Sequence, residues 1–204
     1  MLTNRTPPVK ARGEKMRVYA VLAHDDPESF NAALFGTICR TCRETGAEVD
    51  ELRLYDRAED LKYYVHGPER LEAIPFYREN RERFMAADRL VIVHPTYWYS
   101  LPGILKTWVD YIGRFAWDYR RGPYARRLHR IERAAVSNSG LAPGFARRWF
   151  LGNTATRQMK ETLKFIGIRR CRFLHADALP KSSPGQREKW LRDAERLALW
   201  LVRE

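Results

Sequence analysis

Short runs of consecutive apolar residues alternate along the chain with longer segments whose apolar residues recur every three or four positions. The clearest runs span residues 18–23 and 90–93, and continuous runs of this length are typical of strands buried on both faces. A more polar strand, nearer an edge of the sheet, is predicted at residues 49–54, a weaker third central strand at 131–137 and a last strand at 168–176. Strict alternation of strands and helices favours a doubly wound parallel sheet with helices on both faces. Five strands favour the order 2-1-3-4-5, with a ligand crevice at the carboxyl ends of the strands.

The composition is that of a globular protein, and it limits the class of partner. Hydrophobic residues make up 45% of the chain, and no apolar run approaches the ~20 residues that a membrane span needs. The 37 basic residues exceed the 25 acidic ones by 12, which favours anionic small molecules, nucleic acid or an acidic membrane surface. The basic pairs are scattered and no nucleic-acid-binding motif accompanies them, so we expect no nucleic acid partner.

The amino-terminal segment and the cysteines indicate where the chain resides. Residues 1–15 contain Pro, Lys and Arg but no apolar core, which is typical of a flexible basic tail and not of a secretory signal peptide. We therefore expect residues 16–204 to form one domain. Three cysteines leave at least one unpaired, which favours a reducing compartment and predicts a cytoplasmic location.

Two patterns that can carry chemistry are interpreted as structural. Cys39 and Cys42 form a C-x-x-C pattern, which a dithiol redox centre would place at a helix N-terminus. Here the pattern falls well inside the first predicted helix, so we expect both thiols to be packed in the protein. The five histidines show no metal-ligand spacing, and no metal site is expected.

Three loops follow the three central strands, at residues 24–28, 94–103 and 137–152, and parallel strands bring them to one edge of the sheet. The first loop leads into a helix whose free N–H groups and dipole suit a phosphate. Ser29 and Asn31 add side-chain donors. The alternative is that Ser29 merely caps its helix. No glycine lies between residues 16 and 36, so neither a G-x-G-x-x-G nucleotide motif nor a P-loop is present.

The second loop carries three consecutive aromatic residues, Tyr97, Trp98 and Tyr99. Consecutive loop residues point in different directions, so the three cannot all belong to the core. Aromatic surface at a crevice suits the stacking of a flat conjugated ring. The alternative is that one ring packs inward and the others lie at a dimer interface.

Two segments resemble a known family. His24 to Asn31 resembles the H-x(4)-S-F-N phosphate loop of the flavodoxin-like NAD(P)H:quinone oxidoreductases. Residues 94–110, HPTYWYSLPGILKTWVD, resemble the P-x-x-W-x-x-x-P-A-x-L-K-x-W-x-D segment of the same enzymes. The resemblance covers residues 16–203 and includes the bacterial ancillary subunits of glutathione-gated potassium efflux systems. It implies a flavodoxin-like fold.

The resemblance also implies a flavin, FAD or FMN, bound without a covalent link, with NAD(P)H as co-substrate. The residues implied on the phosphate side are His24, Ser29, Phe30 and Asn31. Those implied around the ring are Pro95, Thr96, Tyr97, Trp98, Tyr99, Ser137, Asn138, Ser139 and Gly140.

The third loop departs from the family. The family usually has Thr-Thr-Gly-Gly in this loop, whereas residues 137–140 of this chain are Ser-Asn-Ser-Gly. Ser139 therefore has a Cβ where the family has a glycine. Phe145 stands near the position where the animal enzymes have a tyrosine, and the histidine that accompanies it has no counterpart nearby. Arg147 or Arg148 is then the candidate for positive charge beside the reduced flavin, and Tyr97 is a second candidate catalytic side chain.

These observations predict a flavin-dependent enzyme that transfers two electrons from NAD(P)H, through flavin N5, to a quinone or a similar flat acceptor. The resemblance implies a homodimer, with residues 97–99 and 115–128 at its interface. One alternative is a flavin-binding regulatory subunit of a membrane transport system, with little turnover. Another is a polyanion or nucleic-acid binder on a doubly wound scaffold.

Overall fold

The fold is described from a computed structural model that covers residues 13–61, 67–118 and 126–203. The strands are β1 (Arg17–Leu22), β2 (Glu48–Arg53), β3 (Arg89–Pro95), β4 (Trp117–Asp118), β5 (Arg126–Arg127), β6 (Arg133–Ser139) and β7 (Arg170–Ala176). The α-helices are α1 (Phe30–Glu44), α2 (Pro68–Glu72), α3 (Pro75–Ala86), α4 (Gly103–Phe115), α5 (Gly144–Trp149), α6 (Thr154–Phe165) and α7 (Pro184–Val202). Short 3-10 helices span Leu54–Leu61 and Leu179–Lys181.

The main sheet contains five parallel strands in the order β2-β1-β3-β6-β7. Numbered among themselves, these five strands have the order 2-1-3-4-5, so the predicted topology is confirmed. Strands β4 and β5 form a separate antiparallel pair. Of the segment 115–128 that was expected at a dimer interface, residues 119–125 lie outside the described residues.

Each face of the sheet packs against its own set of helices. Tyr19 and Val21 of β1 join a core formed with α2, α3, α4 and α6. Val18, Ala20 and Leu22 point to the opposite face and pack with α1 and α7. This alternation explains why residues 18–22 of β1 and 90–93 of β3 are unbroken apolar runs: both faces of these strands are removed from water.

One buried amide joins the first core. Asn80 of α3 accepts two hydrogen bonds through Oδ1, from Tyr19 Oη at 2.7 Å and from Trp108 Nε1 at 2.8 Å. All three side chains are buried, so each donor depends on this single oxygen to be satisfied. The bonds connect β1, α3 and α4.

Two buried arginines satisfy the carboxyl end of the last helix. Arg89 Nε donates to Leu201 O at 2.8 Å, and Arg133 Nη1 donates to Trp200 O at 2.9 Å. The last carbonyls of a helix lack intrahelical partners and carry partial negative charge. Arginines at the starts of β3 and β6 therefore fix α7 to the edge of the sheet opposite the crevice.

Two local expectations were wrong. The third central strand starts at Arg133 and continues through Ser139, two residues beyond the predicted end. The predicted loop 137–152 therefore begins only after Ser139, and it contains α5. Between β2 and β3, Leu54–Leu61 is a 3-10 helix, and α2 and α3 are separate helices because Pro75 begins the second one.

The start of the described chain is anchored. Glu14 forms an ion pair with Arg130 at 3.1 Å, while residues 1–12 of the predicted tail lie outside the described residues. Among the residues that the structure covers, no helix has the length and apolar character needed to cross a bilayer.

Candidate functional site

The carboxyl ends of β1, β3 and β6 meet at one edge of the sheet, as predicted. Ala23 N donates to Val93 O at 2.8 Å, which joins the ends of β1 and β3. Thr96 N donates to Ser139 O at 2.7 Å, which joins β3 to β6. Asn31 Nδ2 of α1 donates to Ser139 Oγ at 2.9 Å. The three predicted segments are therefore held together by direct hydrogen bonds.

The first loop is folded by its own side chains. Asp26 N donates to His24 Nδ1 at 3.1 Å, and Glu28 N donates to Asp26 Oδ1 at 2.8 Å. A neutral histidine whose Nδ1 accepts a hydrogen bond carries its proton on Nε2. His24 thus makes the local turn contact and keeps one donor nitrogen for a ligand.

The start of α1 has the features of an anion site. Ser29 is the N-cap, and its Oγ accepts from Ala32 N at 3.2 Å, so the capping alternative is confirmed. Capping leaves the N–H groups of Phe30 and Asn31 in the first turn, where a helix offers no carbonyl to pair with them. No acidic residue lies in that turn. Capping and anion binding are therefore compatible here.

Phe30 is placed differently from expectation. Its ring packs against Trp190 of α7, with centroids 5.8 Å apart, and the guanidinium of Arg187 lies 5.9 Å from its centroid. Only the backbone N–H of Phe30 is therefore suited to a phosphate. The motif pattern missed Arg187 and Trp190, because their distance from the loop in sequence conceals their proximity in space.

The aromatic loop is a tight and strained turn. Tyr97 and Ser100 bond to each other through both backbone pairs, at 3.1 and 2.9 Å. The two central residues, Trp98 and Tyr99, have φ angles of 47° and 63°, the signs required by a type I′ turn. Bulky residues rarely adopt this region, and backbone strain of this kind clusters at ligand sites. The Trp98 side chain is directed into solvent, 93% exposed.

The third predicted segment is not a loop where the sequence placed one. Ser137, Asn138 and Ser139 are buried residues of β6, and only Gly140 follows the strand. Asn138 Oδ1 bonds His175 Nδ1 of β7, and Asn138 Nδ2 reaches Thr96 Oγ1 at 3.5 Å. Partners on β7 and α1 satisfy the side chains of Asn138 and Ser139, whereas the buried Ser137 Oγ has no partner within the described residues. Ser139 and Gly140, at the end of β6, are therefore the members nearest the crevice.

Two histidines that motif reasoning did not assign flank Asn138. His94 pairs with Asn138 across β3 and β6, and His175 pairs with it across β6 and β7. Burial lowers the pKa of His94 to about 4. Burial, with the positive charge of Arg147, lowers the pKa of His175 to about 4. Both rings are therefore neutral at neutral pH, and neither supplies positive charge to the crevice.

Of the two candidate cations, Arg147 is already paired with a carboxylate, whereas Arg148 is exposed. Arg147 Nε and Nη2 donate to the two carboxylate oxygens of Asp177 at 2.7 and 3.1 Å, and Nη1 donates to Asn153 Oδ1 at 2.7 Å. Asn153 precedes α6, but its side chain is directed to Arg147 and does not cap the helix. Because the charge of Arg147 is balanced by a carboxylate, Arg147 is a poor source of free positive charge beside a flavin.

The other candidate catalytic side chain, Tyr97, is partly exposed at the crevice. Partial burial, followed by the negative charge of Asp25, raises the pKa of its phenol. Tyr97 therefore remains a neutral hydroxyl at neutral pH, able to donate a hydrogen bond.

The residues present fit a flavin. The buried Oδ1 of Asn31 has no hydrogen-bond partner within the described residues, so it can accept from a ligand hydroxyl beside the anion site. Gly140 lies against Thr96: a Cβ added to Gly140 would meet Thr96 Cβ at 4.0 Å. The crevice thus combines a helix start suited to an anion, an unused acceptor and exposed aromatic side chains.

A cavity of about 500 Å³ lies on the α7 side of this site. It is lined by His175, Asp177, Ala178, Lys181, Ser182, Ser183, Gln186 and Trp190. Trp190 also contacts Phe30, so the cavity borders the first loop and not the aromatic turn. Sequence reasoning did not predict it.

The C-x-x-C pattern is structural, as expected. Cys39 and Cys42 are free and buried inside α1. Burial raises the pKa of the Cys39 thiol, and it raises that of Cys42 to about 12. Thiols in this state are poor nucleophiles at neutral pH. Among the described residues no group of His, Cys, Asp and Glu is arranged to hold a metal ion.

Comparison with known proteins gives the following relatives. The chain is 28% identical over 107 residues to FMN-dependent NADH:quinone oxidoreductase 2 of Pseudomonas fluorescens, and the aligned segment covers 50% of each chain. It is 29% identical over 104 residues to the glutathione-regulated potassium-efflux system ancillary protein KefF of an Enterobacter species, covering 48% of this chain and 57% of that protein. The chain thus spans about half the length of the curated relatives it matches.

Solved structures share the fold over nearly the whole chain. An NAD(P)H:quinone oxidoreductase from Methanothermobacter marburgensis superposes with a TM-score of 0.74 at 21% identity, covering 91% of this chain and 98% of that one. A model of the Flavodoxin_2 family, described as a flavodoxin-like fold, matches residues 16–198. With that match and the observed strand order, the chain belongs to the flavodoxin-like fold family Flavodoxin_2.

Proposed function

We propose that this protein is a flavin-dependent NAD(P)H oxidoreductase that passes two electrons to a quinone or a similar flat acceptor. One observation carries the proposal: hydrogen bonds bring an anion-binding helix start, a strained aromatic turn and the polar end of β6 to one crevice. The curated relative from Pseudomonas bears the name of such an enzyme. Bound FMN or FAD would supply the two-electron chemistry through its ring.

The protein binds the charged end of the flavin at the start of α1. The N–H groups of Phe30 and Asn31 donate to phosphate oxygens, and the helix dipole favours the negative charge. His24 Nε2 adds a donor, and Asn31 Oδ1 accepts from a hydroxyl of the flavin chain. The Ser29 hydroxyl holds the turn in place through Ala32 N.

The aromatic turn and the end of β6 orient the ring. Trp98 and Tyr99 provide flat apolar surface, and their conformation is set before a ligand arrives, which reduces the entropy lost on binding. Pro95 ends β3, and Thr96 connects it to this turn. Ser139 and Gly140 bring the backbone of β6 alongside, where a donor would stabilise negative charge on a reduced ring.

We also propose that two copies associate to complete the site. Large apolar side chains are exposed on both sides of the crevice: Tyr97, Trp98, Tyr99, Leu141, Phe145, Trp149 and Phe150. So many exposed large apolar side chains in two short segments are typical of a surface that binds a partner. A homodimer would cover this surface and exclude water from the ring. With three free cysteines, a reducing cytoplasmic location is the matching environment, and residues 16–204 would act as one flavin-binding domain.

A second candidate function is a flavin-binding regulatory subunit of a membrane transport system. The observation that favours it is the Arg147–Asp177 ion pair, which neutralises one of the two candidate cations, while Phe145 stands where a tyrosine was expected. Such a protein would bind flavin but turn over slowly. One of the relatives bears the name of a potassium-efflux ancillary protein.

Visible spectroscopy tests the proposal and separates the two candidates. The purified protein is incubated with FMN or FAD, desalted and titrated anaerobically with NADPH and then NADH. Flavin bands that either nucleotide bleaches, and that menadione restores, support the enzyme. Flavin bands that neither nucleotide bleaches support the regulatory subunit and reject the enzyme. A colourless protein with salt-sensitive DNA binding would support a polyanion binder.

A further inference from the structure

We propose that the bidentate ion pair between Arg147 and Asp177 positions the wall of the crevice and sets the affinity for the electron acceptor. The wall is residues 140–153, which connect β6 to α6. Arg147 is then a positioning residue, which acts by holding this segment and not by touching the reacting atoms. The acceptor part of this inference rests on the proposed function.

The wall segment runs beside the aromatic turn at both of its ends. At its first residue, Gly140, the segment lies next to Thr96. At the other end, Thr154 Oγ1 donates to Tyr99 O, and Ser100 Oγ donates to Gln158 Oε1 at 3.1 Å. Any acceptor that lies over the aromatic turn therefore has this segment as its neighbour.

Apolar packing does not hold the middle of the segment. Helix α5 has six residues, none of them buried. Its large side chains are directed into solvent, with Phe145 at 63% and Trp149 at 78% exposure. Within one subunit, the burial of apolar surface, which fixes most helices, is therefore missing here. Such segments open at low free-energy cost unless polar contacts restrain them.

The restraint is supplied by Arg147. Three of its nitrogens are bonded, two to Asp177 and one to Asn153. The side chains of Arg147 and Asp177 are only 14% and 22% exposed, so water screens the pair weakly. Charge-assisted bidentate bonds are stronger and more directional than single neutral ones. One guanidinium thus ties α5 both to the loop after β7 and to the start of α6.

The backbone near this pair has two further features: a close approach of Gly144 to Asp177, and left-handed backbone at Asn153 and Ala178. Gly144 lies so close to the carboxylate that an added Cβ would meet Asp177 Oδ2 at 2.7 Å. Asn153 and Ala178 both adopt left-handed backbone, with φ of 50° and 51°. Left-handed backbone is unfavourable for alanine. Ala178 N donates to Ala142 O at 3.0 Å, so this conformation forms part of the same contact.

Hydrogen exchange combined with steady-state kinetics tests the inference. Arg147→Met removes the charge and keeps the stem, whereas Gly144→Ala displaces Asp177 without changing any charge. Arg83→Met is the matched control, because Arg83 forms a bidentate pair with Asp50 at 2.9 and 2.6 Å, between α3 and β2. The FMN-loaded proteins are compared by exchange of the peptide 140–153, FMN Kd, and KM and kcat with menadione.

We expect exchange of the peptide 140–153 to rise about tenfold or more in both crevice variants and to stay unchanged in the control. The KM for menadione should rise about tenfold, while kcat and the FMN Kd change less than about threefold. Unchanged exchange, or faster exchange with an unchanged KM, would overturn the inference. A wild-type protein that binds flavin but never reduces menadione would reject the proposed enzyme and, with it, the claim about acceptor affinity. Hydrogen exchange would still test whether the ion pair positions the wall.

Discussion

The side chains of Asn31 and Ser139 meet 2.9 Å apart, although 108 residues separate them in sequence. Asn31 lies in the first turn of α1, and Ser139 is the last residue of β6. Both are buried. The bond therefore joins the proposed phosphate side of the crevice to the proposed ring side through one pair of side chains.

This bond leads to a first prediction. Ser139→Ala leaves the amide of Asn31 buried with neither of its polar atoms paired, which costs about 1–3 kcal/mol of unfolding free energy. Asn31→Leu in the same background should recover part of that loss, because it removes the stranded amide. Urea unfolding of the flavin-free proteins measures both values. Equal stability of the wild type and Ser139→Ala would show that the bond contributes nothing.

The strained turn gives a prediction in which stability and function diverge. Trp98 has left-handed backbone and a solvent-exposed side chain, so Trp98→Gly removes strain without removing packing and should raise stability by about 1 kcal/mol. The same change removes the aromatic surface and should weaken FMN binding about tenfold or more. Thermal melts of the flavin-free protein and fluorescence titration with FMN measure the two effects.

Cys39→Ala is the control for this experiment, because Cys39 is buried in α1 away from the turn. It should leave FMN affinity unchanged. If Trp98→Gly and Cys39→Ala retained FMN equally well, the assigned ring site would be wrong.

Two buried histidines and one half-buried histidine predict loss of stability in mild acid. Burial lowers the pKa of His94, His129 and His175 to about 4, whereas an unfolded histidine titrates near 6.5. The neutral forms therefore stabilise the fold above about pH 6.5, and that contribution is lost as the pH falls toward 4. Each ring should cost on the order of 1–2 kcal/mol between pH 7.5 and 5.

Urea unfolding at pH 7.5 and at pH 5 measures this loss, since most carboxylates stay ionised across that interval. His129 provides a variant outside the crevice: Phe84 packs on its ring, and Nε2 contacts Ile166 O at 2.8 Å. His129→Gln should show a smaller difference in unfolding free energy between the two pH values. An identical pH dependence in the variant would exclude His129 as a contributor.

The buried amide of Asn80 predicts a large effect on stability. Asn80→Leu removes the oxygen that accepts from both Tyr19 and Trp108, and two buried donors then lack partners. The expected loss is about 2–5 kcal/mol, read from chemical denaturation. Asn80→Asp keeps an acceptor at the same place and should retain more stability. The reverse ranking of the two variants would contradict the role given to Oδ1.

The sheet order was predictable from the sequence, because the strands at its centre are buried on both faces and appear as unbroken apolar runs. The start of α1 was also predictable, since Ser29 before Phe30 carries the N-cap signal that the structure confirms. The family motifs added the identity of the crevice loops. These signals are local, so a single sequence is enough to reveal them.

Other features depend on contacts that a single sequence does not show. The end of β6 contains Ser, Asn and Ser, which favour a loop unless partners such as His175 and Asn31 satisfy them. Helix α5 has no buried face and therefore no periodic apolar signal. The turn at Trp98 and Tyr99 lacks the Asn and Gly residues that normally mark its type. Arg147 suggested a free cation only because Asp177, its partner, lies 30 residues away.

Anaerobic reduction of the flavin-loaded protein tests the central claim most directly. The protein is loaded with FMN, freed of excess flavin, and followed at the visible flavin bands while NADPH or NADH is added in stoichiometric steps. The account predicts that the bands are retained after desalting, bleach with about one equivalent of reduced nucleotide, and return when menadione is added. Failure to retain FMN or FAD would contradict the claim that these three strand ends form a flavin site.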